Sequence, residues 1–167
     1  MISVDAAVPD DAALILAFIR ELADYERLAH AVAATEEDLR RTLFGCDAYA
    51  HALIARLDGQ PVGFAVYFFN YSTFLGRPGL YLEDLYVRPA ARRRGVGHRL
   101  LARLAGIALE RGCGRMEWAV LDWNERAIEF YVSLGASPNG EWTTYRLSSD
   151  ALCRLADPPD RDGGAAG

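Results

Sequence analysis

The chain has 167 residues and a formal net charge of −5, with 51% hydrophobic and 25% charged residues. This composition is typical of one soluble globular domain, and the acidic balance disfavours a general nucleic-acid binder while suiting a cationic substrate. All 18 cationic side chains are arginine. Because lysine is absent, Schiff-base chemistry, lysine-anchored pyridoxal phosphate and a Walker phosphate loop are excluded.

The cysteine and histidine patterns predict neither disulfides nor a metal site. Cys46, Cys113 and Cys153 are widely spaced and odd in number, which indicates free thiols in a reducing compartment, and we expect the protein to be cytoplasmic. No CxxC or paired-histidine spacing occurs, so no metal is expected. We also expect no signal peptide and no membrane span, because no basic, apolar leader or long apolar run is present.

The first half of the chain predicts a strand, two helices and a hairpin, in that order. The predicted elements are a strand over 2–7, a helix from Pro9 to about Glu26, a loop over 27–34, a short helix to about Phe44 behind a Thr35–Asp38 capping box, and strands over 51–57 and 61–71. Asp58-Gly59 between the last two strands is a hairpin signal.

The second half predicts alternating strands and helices. The predicted elements are a loop over 76–79, a strand over 80–87, a helix over 96–111, a strand over 116–121, a helix capped by Asn124 and ended by Gly135, a strand over 141–147 and a short helix over 149–155. We therefore predict a single α+β domain over 1–156, with a mixed central sheet flanked by helices. The tail over 157–167 is rich in Pro, Gly and Asp, and we expect it to be disordered.

A glycine turn follows the predicted strand over 80–87. Residues 92–97 read RRRGVG and fit the pattern (Q/R)-x-x-G-x-(G/A), directly before an apolar-periodic helix. Backbone N–H groups from Arg93 through His98 would form a cradle for a pyrophosphate, and arginine side chains can add charge-assisted bonds. A plain helix start with a solvated arginine patch is the alternative for this turn alone. A dinucleotide fingerprint is set aside, because Leu100 stands where its third glycine would be.

This turn resembles the coenzyme A-binding motif of the GNAT acetyltransferase superfamily. LEDLYVRP, the run over 119–136, GFAVYFFNYSTF and ELADYE are similar, in the same order, to the spermidine/spermine acetyltransferase-like branch that includes the thialysine acetyltransferases. The resemblance covers about residues 3–155 and implies a GNAT-like fold. It also implies transfer of an acetyl group from acetyl-CoA to a primary amine by direct attack, without an acyl-enzyme, in a homodimer.

The resemblance also implies roles for single residues. Glu83 matches the carboxylate that takes a proton from the amine, and Tyr131 matches the tyrosine that protonates the leaving thiolate. The implied cofactor-binding residues are Leu85, Tyr86, Val87, Arg92, Arg93, Arg94, Gly95, Val96, Gly97, His98 and Asn124. The implied substrate-binding residues are Tyr25, Glu26, Ser72, Glu83, Asp84 and Glu141.

A purely structural role remains possible for several of these residues. Asn124 is equally explained as a plain N-cap, Tyr131 as core and Glu83 as an ion-pair member. Because Glu83 and Asp84 are strand neighbours, we expect them to face opposite sides of the sheet, with only one in the cleft.

The sequence also leaves alternatives for the identity of the amine acceptor and for the class of function. Ser72-Thr73 replaces the Asp-Pro of the polyamine-specific relatives, which favours a lysine analogue or small diamine over spermidine and spermine. A non-catalytic acetyl-CoA-binding regulatory module and an arginine-patch nucleic-acid binder are the competing hypotheses, and we expect no nucleic-acid partner.

Overall fold

The computed structural model describes residues 1–140 and 143–156. Its contacts divide the chain into two compact units, Met1–Ala119 and Val120–Gly167.

The first unit opens with one strand and two helices, as predicted. Strand β1 is Ile2–Ala6, and a 3-10 turn at Pro9–Asp11 leads into helix α1, Ala12–Tyr25. Helix α2, Glu36–Phe44, begins at the expected capping box. Oγ1 of Thr35 accepts the N–H of Asp38 at 3.1 Å, and the Asp38 carboxylate accepts the N–H of Thr35 at 3.1 Å. Both bonds satisfy N–H groups that the first turn of a helix leaves unpaired.

The remaining strands build a five-stranded mixed sheet, which confirms the predicted fold class. They are β2, His51–Leu57; β3, Gln60–Ser72; β4, Arg77–Val87; and β5, Met116–Trp118, with helix α3, Val96–Glu110, between β4 and β5. The sheet order is β1-β2-β3-β4-β5. The first four strands are antiparallel, and β5 runs parallel to β4.

Two strand boundaries differ from the prediction by more than one residue. The predicted loop over 76–79 is wrong for its last three residues, because β4 begins at Arg77 and Pro78 lies opposite Tyr71. Pro78 has no N–H to donate, but its carbonyl accepts the N–H of Gly114 at 2.9 Å, so the proline is accommodated within the strand. The predicted strand over 116–121 is also too long, since β5 ends at Trp118.

Each face of the sheet is covered by helices. On one face, Ile15, Phe18 and Leu22 of α1 pack in a cluster with Phe64 and Val66 of β3. Helix α3 contacts β4, β1, β2 and β3, and its apolar stripe of Leu100, Leu101 and Leu104 is buried. The helical spacing of these apolar residues is what made both helices predictable.

The second unit contains two helices within its described part. Helix α4 is Glu125–Ser133, Gly135 follows it with a φ of 89°, and helix α5 is Ser149–Ala156. The predicted strand over 141–147 is wrong for residues 143–147, which form no strand, and residues 141–142 lie outside the described part. Strand propensity depends on a pairing neighbour, and this segment has none among the described strands. The tail over 157–167 also lies outside the described residues.

No helix in the described part of the chain is long and apolar enough to cross a bilayer.

Gly63→Ala is expected to lower the free energy of unfolding by about 2 kcal/mol, because overpacking against backbone has no cheap relief. A Cβ at Gly63 would lie 2.6 Å from the carbonyl oxygen of Tyr86 and 3.3 Å from Cα of Val87. The matched control is Gly106→Ala in α3, where a Cβ meets nothing within 4 Å. That control should raise stability by about 0.5–1 kcal/mol through helix propensity. Urea denaturation of both variants measures the contrast, and equal effects would contradict it.

Candidate active site

The predicted pyrophosphate loop has the backbone geometry of an anion cradle. Gly95 takes a left-handed conformation, φ 82° and ψ 2°, directly before α3. Arg93 is also left-handed, with φ 61°. Left-handed residues within a turn make successive N–H groups converge, and the 15-residue helix behind them adds its positive end. Residues 93–95 are exposed, so the cradle is open to a ligand.

The three arginines of this loop are oriented differently. Nη2 of Arg94 lies 4.0 Å from a carboxylate oxygen of Asp58, in the β2–β3 turn. The side chain of Arg93 is exposed. Nε of Arg92 donates to the carbonyl of Val87 at 2.9 Å, within the fold. The loop is therefore not closed by the side chains of Arg93 and Arg94, and its backbone is open to an anion.

The end of β4 offers backbone groups beside this loop. Leu85, Tyr86 and Val87 pair with β3 along one edge of the strand. On the other edge β5 pairs only with Leu80, Tyr81 and Leu82. No described strand pairs with that edge beyond Leu82, so this part of β4 can pair with an added strand or an extended ligand.

A β-bulge lies at the two carboxylates of β4. Tyr67 of β3 pairs with Leu82, and the next partner pair is Val66 with Asp84, so Glu83 is an extra residue. Because neighbouring residues of β3 face opposite sides, Leu82 and Asp84 also lie on opposite faces, although they are two positions apart. Asp84 shares the face of Val66, which packs against α1. The bulge therefore breaks the period-two alternation between Leu82 and Asp84, and the expected opposite facing of Glu83 and Asp84 stays a prediction.

Asp84 is the most perturbed acid of the described residues. Burial, followed by the negative charges of Glu83 and Glu26, raises the pKa of Asp84 from 3.8 to about 6. Burial likewise raises the pKa of Glu26, the residue directly after α1. Glu83 itself is exposed. Among the described residues no group of three or more acidic, histidine or cysteine side chains is arranged to hold a metal ion. An organic cation is a fitting counter-charge for these carboxylates.

Contacts between α1 and the end of β4 were not anticipated from the sequence. Nη2 of Arg88 lies 2.7 Å from Oε1 of Glu21, and its Nε donates to Oε2 at 3.0 Å. The Arg88 guanidinium also lies 4.7 Å from the centre of the Phe18 ring. Hydrogen bonding to Arg88 lowers the pKa of Glu21. The only sequence signal was the presence of both residues in the matched segments ELADYE and LEDLYVRP.

Ser72 lies away from this carboxylate group. It is only 5% exposed, and its Oγ accepts the N–H of Leu75 at 3.3 Å in the β3–β4 turn. Six residues of strand separate it from Val66, which is about 20 Å at ~3.3 Å per residue. Ser72 is therefore not brought to the acids of Glu26 and Asp84, and its substrate role stays a prediction. Glu141 lies outside the described residues.

The second unit carries the other two predicted residues. Asn124 is the N-cap residue of α4, as predicted, but its side chain makes no capping hydrogen bond. Its carbonyl accepts the N–H groups of Ala127 and Ile128 at 3.0 and 3.1 Å, so the side-chain cap predicted for it is wrong. Tyr131 is half-buried in α4, with its ring centre 5.6 Å from that of Phe130.

Comparison with known proteins places the chain in one family. Residues 17–136 match the model of the acetyltransferase (GNAT) family. A thialysine N-epsilon-acetyltransferase of Bos taurus is 41% identical over 157 residues, covering 87% of this chain and 92% of the relative. An L-ornithine N5-acetyltransferase of Arabidopsis thaliana is 32% identical over 191 residues, covering 87% of this chain and 84% of the relative.

A solved structure agrees with these sequence matches. An integron cassette protein from the mobile metagenome of V. cholerae superposes with a TM-score of 0.77 and 28% identity, covering 93% of this chain and 97% of that one. The fold and the curated relatives therefore agree with the resemblance seen in the sequence, and the expected amine N-acetyltransferase is confirmed. The chain belongs to the acetyltransferase (GNAT) family.

Proposed function

We propose that the chain moves the acetyl group of acetyl-CoA to the side-chain amine of a small amino acid, a lysine analogue such as thialysine, or ornithine. Small diamines rank next as acceptors, and polyamines after them. The names of the curated relatives support an amine at the end of an amino-acid side chain. The observation that carries the proposal is the half-buried Asp84 beside the charges of Glu26 and Glu83.

These carboxylates suit an acceptor that arrives as an ammonium ion. An alkyl amine near neutral pH is mostly protonated, and it must lose a proton before its nitrogen can attack. Asp84 and Glu26 stabilise the cation in partly buried surroundings. Glu83, the exposed bulge residue, then passes the proton to water.

The remaining residues hold acetyl-CoA, which supplies the activated acetyl thioester. N–H groups of Arg93 to His98 bind the diphosphate, and Asn124 contacts the cofactor. The β4 edge at Leu85 to Val87 binds the pantetheine arm through its backbone groups other than the Val87 carbonyl, which accepts a hydrogen bond from Arg92. Tyr131 donates a proton to the departing thiolate. No acyl-enzyme is formed, because the amine attacks the thioester carbonyl directly.

We further propose that the protein is a cytoplasmic homodimer that binds neither nucleic acid nor membrane. Support for a subunit contact comes from the end of β3 and the turn after it, where Tyr71, Phe74 and Leu75 are 63%, 89% and 54% exposed. Clustered exposed apolar side chains indicate an association surface. Sedimentation equilibrium of the purified protein tests this, and a monomer at all concentrations would contradict it.

An amine panel tests the proposed reaction. Purified enzyme and acetyl-CoA are offered thialysine, lysine, ornithine, diaminopropane, putrescine, spermidine and an aminoglycoside, and free thiol is measured. We expect the highest kcat/KM with thialysine or ornithine, and acetylation at the side-chain nitrogen by mass spectrometry. Spermidine as the best acceptor would overturn the amino-acid assignment. Inertness toward every amine, with acetyl-CoA bound, would favour a non-catalytic binding module.

A further inference from the structure

Two arginines between β4 and α3 contact two residues of α1 that lie one helical turn apart. Arg88 makes the two-point ion pair with Glu21, at 2.7 and 3.0 Å. Four residues later, the guanidinium carbon of Arg92 lies 4.7 Å from the ring centre of Tyr25. Residues four apart share a helix face, so both arginines brace the same side of α1.

The Arg92 side chain is committed to this contact. Besides Tyr25, its guanidinium carbon lies 5.8 Å from the ring centre of Tyr86, and its Nε donates to the carbonyl of Val87 at 2.9 Å. When an arginine stacks on aromatic rings and its Nε already donates a hydrogen bond, fewer of its N–H groups are free to bind a phosphate. In the backbone, Arg92 is the first residue of the proposed diphosphate loop, whereas its side chain contacts α1.

Tyr25 connects this contact to the amine side of the site. It is the last residue of α1, and the next residue is Glu26, whose charge acts on Asp84. Holding the Tyr25 ring therefore fixes the helix end from which the Glu26 carboxylate extends. Arg92 thus links the start of the cofactor loop to a carboxylate of the proposed amine site.

We propose that the side chain of Arg92 is a positioning residue for the amine acceptor, acting through Tyr25 on Glu26, and not a ligand of the diphosphate. This inference rests on the proposed function. It assigns opposite kinetic effects to neighbouring arginines of one loop. Loss of the Arg92 side chain affects the amine, whereas loss of the exposed Arg93 side chain affects acetyl-CoA.

Arg92→Met is the main test, because it keeps the length and apolar stem of the side chain but removes its charge and donors. We expect KM for the amine to rise roughly tenfold, a typical size for a partly desolvated cation–π contact. Acetyl-CoA affinity by calorimetry should stay within about threefold. Arg93→Met should do the reverse, weakening acetyl-CoA and leaving the amine KM within about twofold.

Two further variants separate positioning from general damage. Arg92→Lys keeps the cation but not the planar stack, so its amine KM should lie between those of wild type and Arg92→Met. Tyr25→Leu should raise the amine KM, and adding Arg92→Met to it should bring little further loss, because both changes break one contact. Thermal melts show whether each variant is folded.

The outcomes are distinguishable. An Arg92→Met variant that loses acetyl-CoA affinity as much as amine affinity, or an additive double variant, overturns the inference. If Arg92→Met does not fold, Arg92→Lys decides, and an unchanged amine KM overturns it. A wild-type enzyme that acetylates no amine overturns the proposed function and this inference together, whereas an active wild type with the wrong KM pattern overturns this inference alone.

Discussion

Asp84→Asn is expected to stabilise the protein at neutral pH while impairing acetylation. In the folded chain burial and the charges of Glu83 and Glu26 raise the pKa of Asp84 from 3.8 to about 6. The folded state therefore holds this proton more tightly than the unfolded state, and ionisation of Asp84 costs stability. A pKa rise of this size corresponds to about 3 kcal/mol, and partial exposure reduces our expectation to about 2 kcal/mol.

The sign of the effect gives it a pH window. Below pH 3.8 Asp84 is protonated in both states, so the wild type and Asp84→Asn should be equally stable apart from the amide itself. The loss of folding free energy from ionised Asp84 grows as pH rises and is complete above a pH of about 6. Urea denaturation at several pH values measures this difference. Glu83→Gln is the matched control, because Glu83 is exposed and its charge is only a secondary cause of the raised Asp84 pKa, so its neutralisation should stabilise the protein less than Asp84→Asn does.

Asp84→Asn should also reduce kcat/KM for the amine roughly 50-fold, because it removes a partly desolvated partner of the ammonium ion. In the wild type kcat/KM should fall as pH drops through about 6, where Asp84 gains its proton. Asp84→Asn should lose this acid limb. A variant that is no more stable than wild type at pH 7.5, or that keeps full activity, would show that Asp84 is not the charged group of the amine site.

The core helices and the glycine turn before α3 were predictable because local signals decide them. Apolar spacing located α1 and α3, and the glycine pattern located the left-handed turn at Gly95. Strand ends were less predictable, since pairing across the sheet decides them. A loop was predicted around Pro78, but pairing with β3 extends strand β4 through this residue. The predicted strand over 141–147 failed at 143–147 for the same reason, because propensity alone supplies no partner.

The carboxylate site shows where sequence reasoning stops. The one-residue register shift that makes Glu83 a bulge residue cannot be read from the letters LED. That shift puts Asp84 on the α1 face, and there its pKa rises. The two arginine contacts, Arg88 with Glu21 and Arg92 with Tyr25, join residues 67 positions apart, so no local pattern could have paired them.

Tyr131→Phe is expected to lower kcat about 100-fold, at the lower end of the range for loss of a general acid. The thiolate of coenzyme A is a poor leaving group unless it gains a proton as the thioester bond breaks, and the Tyr131 hydroxyl is the proposed donor. The half-buried ring, 5.6 Å from Phe130, is retained by phenylalanine, so packing of α4 should not change. Acetyl-CoA affinity by calorimetry should stay within about twofold of wild type.

Tyr145→Phe is the control, since Tyr145 is 91% exposed in the same unit and has no proposed role. Its turnover should equal that of wild type. Equal losses of turnover and acetyl-CoA affinity in Tyr131→Phe would mean that the tyrosine only shapes the binding surface. Full turnover in that variant would mean that the thiolate takes its proton from elsewhere. Only a selective loss of kcat is consistent with Tyr131 as the acid, because a hydroxyl that acts in the transition state contributes little to ground-state binding.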